Sequence, residues 1–436
     1  MAVASNSNGS EKEERLPSRP LMLALYDFFL ALYVMAIRLV GLFNEKASKW
    51  VSGRKDWKQS YAARLQPGEK RIWFHCSSVG EFEQALPLIE AMRVQYDGYK
   101  IVVTFFSPSG YEACGKNANI DYAFYLPADT RKNAKEFVRI INPALVAFVK
   151  YEFWYHYLAA LRSAQIPTVL VSGTFRKEQP FFKWYGGLFC DMLACFSYFF
   201  LQDEESVALL HTLGFDKHIT VSGDTRYDRV AAIAANLKPI PAIEAFKENN
   251  RLLVAGSTWP ADEKVLKQCV AVLPFDWKVI IAPHEIDAAH IRHIEKLFGA
   301  EAILFSALDA ETTGADKRIL IINNIGMLSR LFAYADTAYI GGGFARGGIH
   351  NILEPSVFGV PVVFGPIYEK FVEAKEMAAL QIVFPINDAA GCRGIFEKLV
   401  EDEYRGSIRS SVRAFMQQHT GATDAIMGLV REQGWL

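Results

Sequence analysis

Between Ile340 and Pro366 the chain reads Ile-Gly-Gly-Gly-Phe-Ala-Arg-Gly-Gly-Ile-His-Asn-Ile-Leu-Glu-Pro and, from Gly359, Gly-Val-Pro-Val-Val-Phe-Gly-Pro. The residues just before it, Asp336 to Ile340, have the apolar character of a short buried strand. The glycines, Gly343 among them, therefore fall at a strand's carboxyl end, where open α/β sheets bind ligands. Lacking Cβ atoms, they let backbone N–H groups approach an anion closely. Gly347 and Gly348 precede an expected helix whose first residues are His350, Asn351, Ile352, Leu353 and Glu354, and a helix N-terminus favours phosphate. Asn351 and Glu354 are three apart and share a face, and a carboxylate there suits the two hydroxyls of a ribose. A tight loop in which Glu354 only complements the helix dipole accounts for the same residues.

The wording Gly-Gly-x-His-Asn-x-x-Glu-Pro, followed by Gly-Pro-x-x-x-x-Phe at Gly365, Pro366 and Phe371, resembles the nucleotide-sugar domain of GT-B glycosyltransferases. Within that group it resembles the 3-deoxy-D-manno-octulosonic acid (Kdo) transferases of lipopolysaccharide synthesis. The resemblance implies an α/β protein of GT-B fold: two facing Rossmann-like domains with a cleft between them, plus an N-terminal membrane-anchor helix.

A chain of 436 residues exceeds one ordinary core, and two domains of about 180 residues each are expected. A net charge of −1 leaves no basic excess to displace counterions from nucleic acid. The six cysteines are scattered without a Cys-x-x-Cys pair, which disfavours zinc ribbons and disulfide frameworks and fits reduced thiols. Apolar residues make up 51%, and life near a membrane would account for the excess.

Residues 1–20 are polar and expected to be disordered. Residues 21–48 are expected to form the membrane anchor. Leu21 to Phe43 is long enough to span a bilayer, but Asp27 and Arg38 interrupt it, so a helix lying in the interface competes with a span. Lys46, Lys49, Arg54, Lys55 and Lys58 follow directly, which puts the body on the cytoplasmic side of the inner membrane. A buried amphipathic helix of the first domain is the alternative. The expected order is then an acceptor-binding Rossmann-like domain over 49–228, a linker over 229–250 that contains Pro239 and Pro241 and includes an entry helix, and a CMP-sugar-binding Rossmann-like domain over 251–415. A C-terminal helix over 416–436 is expected to pack back on the first domain.

In the first domain, Arg71 to His75 reads as a strand and Phe82 to Tyr96 as a helix, which puts Glu81 at the turn between them. There a carboxylate is either rigidly presented or merely a helix-dipole partner. Kdo transferases carry Ser-Val-Gly-Glu at this place, and the resemblance assigns Glu81 as general base. Lys150-Tyr151-Glu152-Phe153-Trp154 resembles the family's Glu-x-Glu-x-Trp element, with Lys150 replacing the first acid, and Glu152 would stabilise the transition state. Around Asp224 and Arg226 the family has Gly-Asn-x-Lys-x-Asp. Arg226 keeps the cation, and its forked guanidinium suits carboxylate or phosphate.

In the second domain the family pattern matches at Ser257, Thr258 and Glu263, with a donor contact expected from Ser257 or Thr258. Pro283 and His284 stand where relatives have Pro-Arg-His, and an imidazole binds phosphate less firmly than a guanidinium fork. Ile325, Gly326 and Met327 match the nucleotide-base loop, with Met327 in place of the usual Glu.

The chemistry implied is inverting transfer of Kdo from CMP-Kdo to the lipid A precursor (lipid IVA), without cofactor or metal. No Asp-x-Asp motif occurs in the chain. A GT-B enzyme using a UDP- or GDP-sugar remains the alternative, as does a non-catalytic membrane-binding module. A dinucleotide-dependent dehydrogenase is disfavoured, because Cys76 to Glu81 offers a single glycine where Gly-x-Gly-x-x-Gly is required.

Overall fold

The computed structural model describes residues 19–309 and 311–436. The tail expected to be disordered lies outside the described residues except for Arg19 and Pro20, which open the first helix. The chain divides into two compact units, one running to Thr225 and completed by Gly421–Leu436, the other spanning Arg226–Thr420. The stretch 229–250, read from the sequence as a linker with an entry helix, carries the end of the helix Thr225–Ala235 and the helix Pro241–Lys247. Pro241 is at the start of its helix, where a missing N–H costs nothing and the fixed φ is helical.

The first unit is built on one parallel sheet of β1 (Lys70–Cys76), β2 (Tyr99–Phe105), β3 (Tyr122–Tyr125), β4 (Pro143–Val149), β5 (Thr168–Gly173), β6 (Tyr198–Leu201) and β7 (Ile219–Val221), ordered β3-β2-β1-β4-β5-β6-β7. Both faces are covered, so the strands read as near-continuous apolar runs. Alternate residues serve opposite cores. Trp73 packs with Phe124, Phe137 and Phe148 on one face, while Ile72 and Phe74 meet Phe82, Ile89 and Met427 on the other.

Helix α1 (Arg19–Val40) is long and apolar enough to cross a membrane by length and composition. Its half-covered positions are Met22, Leu23, Tyr26, Leu30, Val34 and Ile37, a three-to-four spacing that marks one helical face. Met22, Leu23 and Tyr26 pack against the first unit's core. Two polar contacts fasten the helix. The Tyr26 hydroxyl donates to Asp129 at 2.6 Å, and Asp27 pairs with His156 at 2.6 Å. Asp27, which interrupts the apolar run, is thus a docking residue. Helices α2 (Glu45–Ser52) and α3 (Trp57–Arg64) follow, and α4 (Val79–Gln95) succeeds β1.

The second unit repeats the architecture with β8 (Arg251–Thr258), β9 (Trp277–Pro283), β10 (Ala302–Leu304), β11 (Ile319–Ile321), β12 (Thr337–Ile340), β13 (Val362–Phe364) and β14 (Val383–Pro385). Its order is β10-β11-β9-β8-β12-β13-β14, again parallel. The strand order reverses between β1 and β4 in the first sheet and between β8 and β12 in the second. Ligands of open α/β sheets bind beyond the carboxyl ends of such neighbours.

Candidate functional site

In the first unit the reversal point carries both expected carboxylates, Glu81 after β1 and Glu152 after β4. Helix α4 begins at Val79, earlier than the sequence pattern suggested, so Glu81 sits in its first turn. Its Oε2 accepts hydrogen bonds from the Ser78 backbone N–H at 2.9 Å and from the Ser78 hydroxyl. This is the reciprocal half of a capping box. Oε1 is engaged by none of the described residues. The helix-end contacts therefore fall on Oε2 alone.

Glu152 is not an exposed strand-end acid. Its Oε2 accepts from Trp154 Nε1 at 2.8 Å and lies 3.2 Å from His75 Nε2. Burial opposes its charge, yet hydrogen bonds from His75, Ser77 and Trp154 and the His75 charge hold its carboxyl below the ordinary carboxylate value. Burial also raises the Cys76 thiol, and the Glu81 and Glu152 charges raise it further, so both carboxylates act on the end of β1. His75 is fully buried, with Nδ1 2.8 Å from Thr104 Oγ1. Sequence reasoning passed over it. The available signal was a polar ring inside an otherwise apolar strand.

In the second unit a cavity of 470 Å³ is lined by Ser257, Pro283, His284, Ile325, Gly326 and Met327 among others, a size suited to a small ligand. These residues come from the ends of β8, β9 and β11. Ser257 occupies a register shift between β8 and β9, with a left-handed φ of 53°. Such a bulge re-aims a side chain beside a site. Thr258 does not serve the cavity through its side chain. It is fully buried and its hydroxyl donates to Glu263 Oε1 at 3.0 Å, so of the two candidates Ser257 is the one exposed to a ligand.

The glycine loop differs from expectation in its helix. The helix begins only at Leu353 and ends at Ser356, so His350, Asn351 and Ile352 precede it. Asn351 Oδ1 accepts from the Leu353 N–H at 3.0 Å, and Asn351 Nδ2 lies 3.4 Å from Glu354 Oε1, which brings those two together. The Ile352 and Leu353 side chains are core residues and leave only backbone to a ligand. Two glycine N–H groups are also spent internally, Gly341 on the Gly256 carbonyl and Gly342 on Asp262 Oδ2. Close packing explains the first glycine, because a Cβ on Gly341 would stand 2.2 Å from the Ser257 carbonyl oxygen. Gly343 is similarly pressed against the Gly365 backbone.

His350 joins the cavity through a stack of rings. Trp259 lies on His284 with centroids 4.8 Å apart, and His284 lies on His350 at 4.4 Å. Trp259 Nε1 donates to His350 Nε2 at 3.3 Å. Burial, and then the neighbouring His284, push the His350 imidazole below its ordinary value of 6.5. The nearby helix Ala288–Phe298 already has its N-terminus filled, because Asp287 accepts from the N–H groups of Ala289 and His290. Arg226 grips the buried Glu373 with both terminal nitrogens, at 2.9 and 3.2 Å, and lines none of this cavity.

Comparison with known proteins converges on one family. The family model of 3-deoxy-D-manno-octulosonic-acid transferase (kdotransferase) matches residues 55–229. The 3-deoxy-D-manno-octulosonic acid transferase of Chlamydophila psittaci is 30% identical over 362 residues, covering 78% of this chain and 80% of the relative. Among solved structures, UDP-GlcNAc 2-epimerase from Neisseria meningitidis superposes with a TM-score of 0.60 at 14% identity, covering 83% of this chain and 100% of that one. CalG4, the calicheamicin glycosyltransferase, gives 0.51 at 13% identity, with 84% and 99% covered. At such identities the structural likeness speaks for the fold alone, which is GT-B. Fold, motif order and the relative matched over 80% of its length together make this chain a glycosyltransferase belonging to the 3-deoxy-D-manno-octulosonic-acid transferase (kdotransferase) family.

Proposed function

We propose that the enzyme transfers Kdo from CMP-Kdo to a hydroxyl of the lipid A precursor, lipid IVA, with inversion at the anomeric carbon and Glu81 as general base. The observation that carries this reading is the division of labour on Glu81, with Oε2 tied to Ser78 and Oε1 unengaged. The acceptor hydroxyl attacks the anomeric carbon, its proton passes to Glu81 Oε1, and the bond to the phosphate oxygen breaks to release CMP. A positioned base supplies roughly 10²–10⁴-fold. Glu152, kept ionised by its hydrogen-bond partners, offsets positive charge developing on the sugar.

On the donor side, Ser257, His284 and the backbone after Pro283 meet the phosphate and sugar, and Ile325 to Met327 receive the base. Asn351 and Glu354 take the ribose hydroxyls, beside the backbone of Gly343 and of Ile352–Leu353, and His350 orients His284 through their stack. Arg226, its plane set by Glu373, stands outside the donor cavity and would act only on donor groups that extend beyond it. The leaving group is stabilised by these residues, and no metal enters the proposal. The reaction would take place at the cytoplasmic face of the inner membrane, where the acceptor lipid resides.

Incubation with CMP-Kdo and lipid IVA, with mass spectrometry of the product, tests the reading. A mass increase of one or more Kdo units supports it. Turnover with a UDP- or GDP-sugar in its place, or displacement of bound CMP by UDP or GDP at equal concentration, overturns the donor assignment.

A further inference from the structure

The outward face of α1 exposes Leu21, Leu25, Phe28, Phe29, Met35 and Leu39 to solvent. Its opposite face is fastened to the body along much of its length, by Tyr26 and Asp27 near the start and by half-covered Val34 and Ile37 towards the end. A helix held in this way cannot cross a bilayer without breaking those contacts. It is built to lie in the membrane plane with one apolar face immersed.

At the carboxyl end of this helix is a cavity of 590 Å³ bounded by α1, α2, α3 and the chain after β3. Its lining includes three cations, Arg38, Arg54 and Lys55, and not one carboxylate. Arg54 is rigidly placed. Its Nε donates to the Leu126 carbonyl at 2.8 Å, and its terminal nitrogens donate to Trp50 at 3.0 Å and Phe106 at 2.8 Å. The guanidinium also lies 3.9 Å from the centroid of the Trp50 ring. All these partners are neutral, and burial brings the Arg54 pKa down to about 10. Neither Arg38 nor Lys55 has a carboxylate partner among the described residues, whereas Lys49 close by is paired with Glu45 and Glu112. The remaining wall is apolar, with Val34, Leu42 and Trp57. Leu42 and its neighbour Phe43 are 73% and 92% exposed, continuing the outward face of α1.

We infer that this cavity is a headgroup site for an anionic glycerophospholipid, which seats its phosphate among Arg38, Arg54 and Lys55 while α1 lies flat in the interface. A phosphodiester matches three cations that no lining acid neutralises. Acyl chains match the exposed Leu39, Leu42 and Phe43 beside them, a surface for which a free anion has no use. The site shares no lining residue with the donor cavity, so its test is independent of the transfer reaction.

The experiment is co-sedimentation of the full chain with phosphatidylcholine vesicles with and without phosphatidylglycerol. Arg38→Gln with Lys55→Gln should weaken binding to the phosphatidylglycerol vesicles about tenfold and leave binding to pure phosphatidylcholine unchanged. Lys46→Gln with Lys58→Gln, an equal charge change outside the cavity, should lose clearly less. Ser52→Trp fills the cavity without touching a charge and should also abolish the phosphatidylglycerol preference. Equal losses in the two double variants, or an intact preference in Ser52→Trp, would overturn the site. Displacement from the vesicles by inorganic phosphate at millimolar concentration would overturn the lipid as its source. An N-terminal tag should remain open to protease added on the catalytic side of sealed vesicles, and a protected tag would overturn the flat placement of α1.

Discussion

His75 Nε2 and Glu152 Oε2 stand 3.2 Å apart, joined by the Trp154 indole at 2.8 Å from the same carboxylate oxygen. A strand-end acid is thereby held charged within a largely buried network. The folded-state pKa of Glu152 is lowered from 4.5, so its contribution to stability is fully present above that value. It is lost as pH falls through the folded pKa. Glu152→Gln should therefore flatten the acid side of the stability profile. Urea unfolding followed from pH 7 down through pH 4 measures this, and parallel curves for the two proteins would count against it.

Two substitutions separate the helix-cap role of Glu81 from its proposed role as base. Glu81→Gln keeps an oxygen for Ser78 but removes the base, so transfer should fall by roughly 10²–10⁴-fold with CMP affinity nearly unchanged. Glu81→Ala should lose the same activity and in addition about 1 kcal/mol of stability with the cap. Calorimetric CMP binding, thermal unfolding and turnover assays read the three quantities. Unchanged turnover in Glu81→Gln would refute the base assignment.

Arg226 and Glu373 form a bidentate pair in which the acid is 5% and the base 28% exposed. Removing the cation leaves a buried carboxylate unpaired. Arg226→Ala should cost about 2 kcal/mol, below the usual figure for a fully buried pair because the guanidinium keeps some water. Arg226→Met combined with Glu373→Met should recover most of that loss in equilibrium unfolding. If activity also returned in the double variant, a direct role for Arg226 on the donor would be excluded.

His350 has its folded pKa lowered from 6.5 by burial and by His284. As pH falls below 6.5 the unfolded chain takes up the proton first, so stability should decline from there towards the folded pKa and then level off. Binding of an anionic nucleotide acts in the opposite direction, since it favours the protonated ring. CMP affinity should thus rise as pH falls through the same window. His350→Gln should flatten both trends, and a titration of CMP binding between pH 7.5 and 5.5 that shows no slope would contradict the proposed stack-to-phosphate arrangement.

Gly341→Ala puts a methyl group 2.2 Å from the Ser257 carbonyl oxygen. Neither strand end can retreat without disturbing the sheet, so a loss of about 3 kcal/mol is expected. CMP binding should weaken with it, because Ser257 lines the cavity. Normal stability in this variant would show that the loop is softer than its packing suggests.

Much of the fold was legible in local sequence because local physics produces it. Apolar runs mark the doubly covered strands, the small residues after β1 mark the strand-to-helix turn, and the order of motifs carries the resemblance to the family. The extent of the short helix after the glycine loop was not legible. Asn351 caps it from outside, and a four-residue helix has no periodicity to read. The inward turn of Thr258 depends on Glu263 and on the partnership of that acid with His290 at 2.8 Å, which no adjacent-residue pattern announces.

By itself the sequence determined that two parallel α/β units would form and which strand ends would carry Glu81, Glu152, Ser257 and His350. Hydrophobic period and turn chemistry act over a few residues, so they can be read in one dimension. Only the tertiary structure decided which oxygen of Glu81 is bonded to Ser78 and which is engaged by none of the described residues, that His75 helps hold Glu152 charged, and that Asp27 docks α1 along the body. It also decided that the glycine N–H groups at Gly341 and Gly342 are spent on their own fold. Each of these outcomes is a choice of hydrogen-bond partner or packing neighbour, most of them supplied by distant segments, and such choices exist only once the chain has closed on itself.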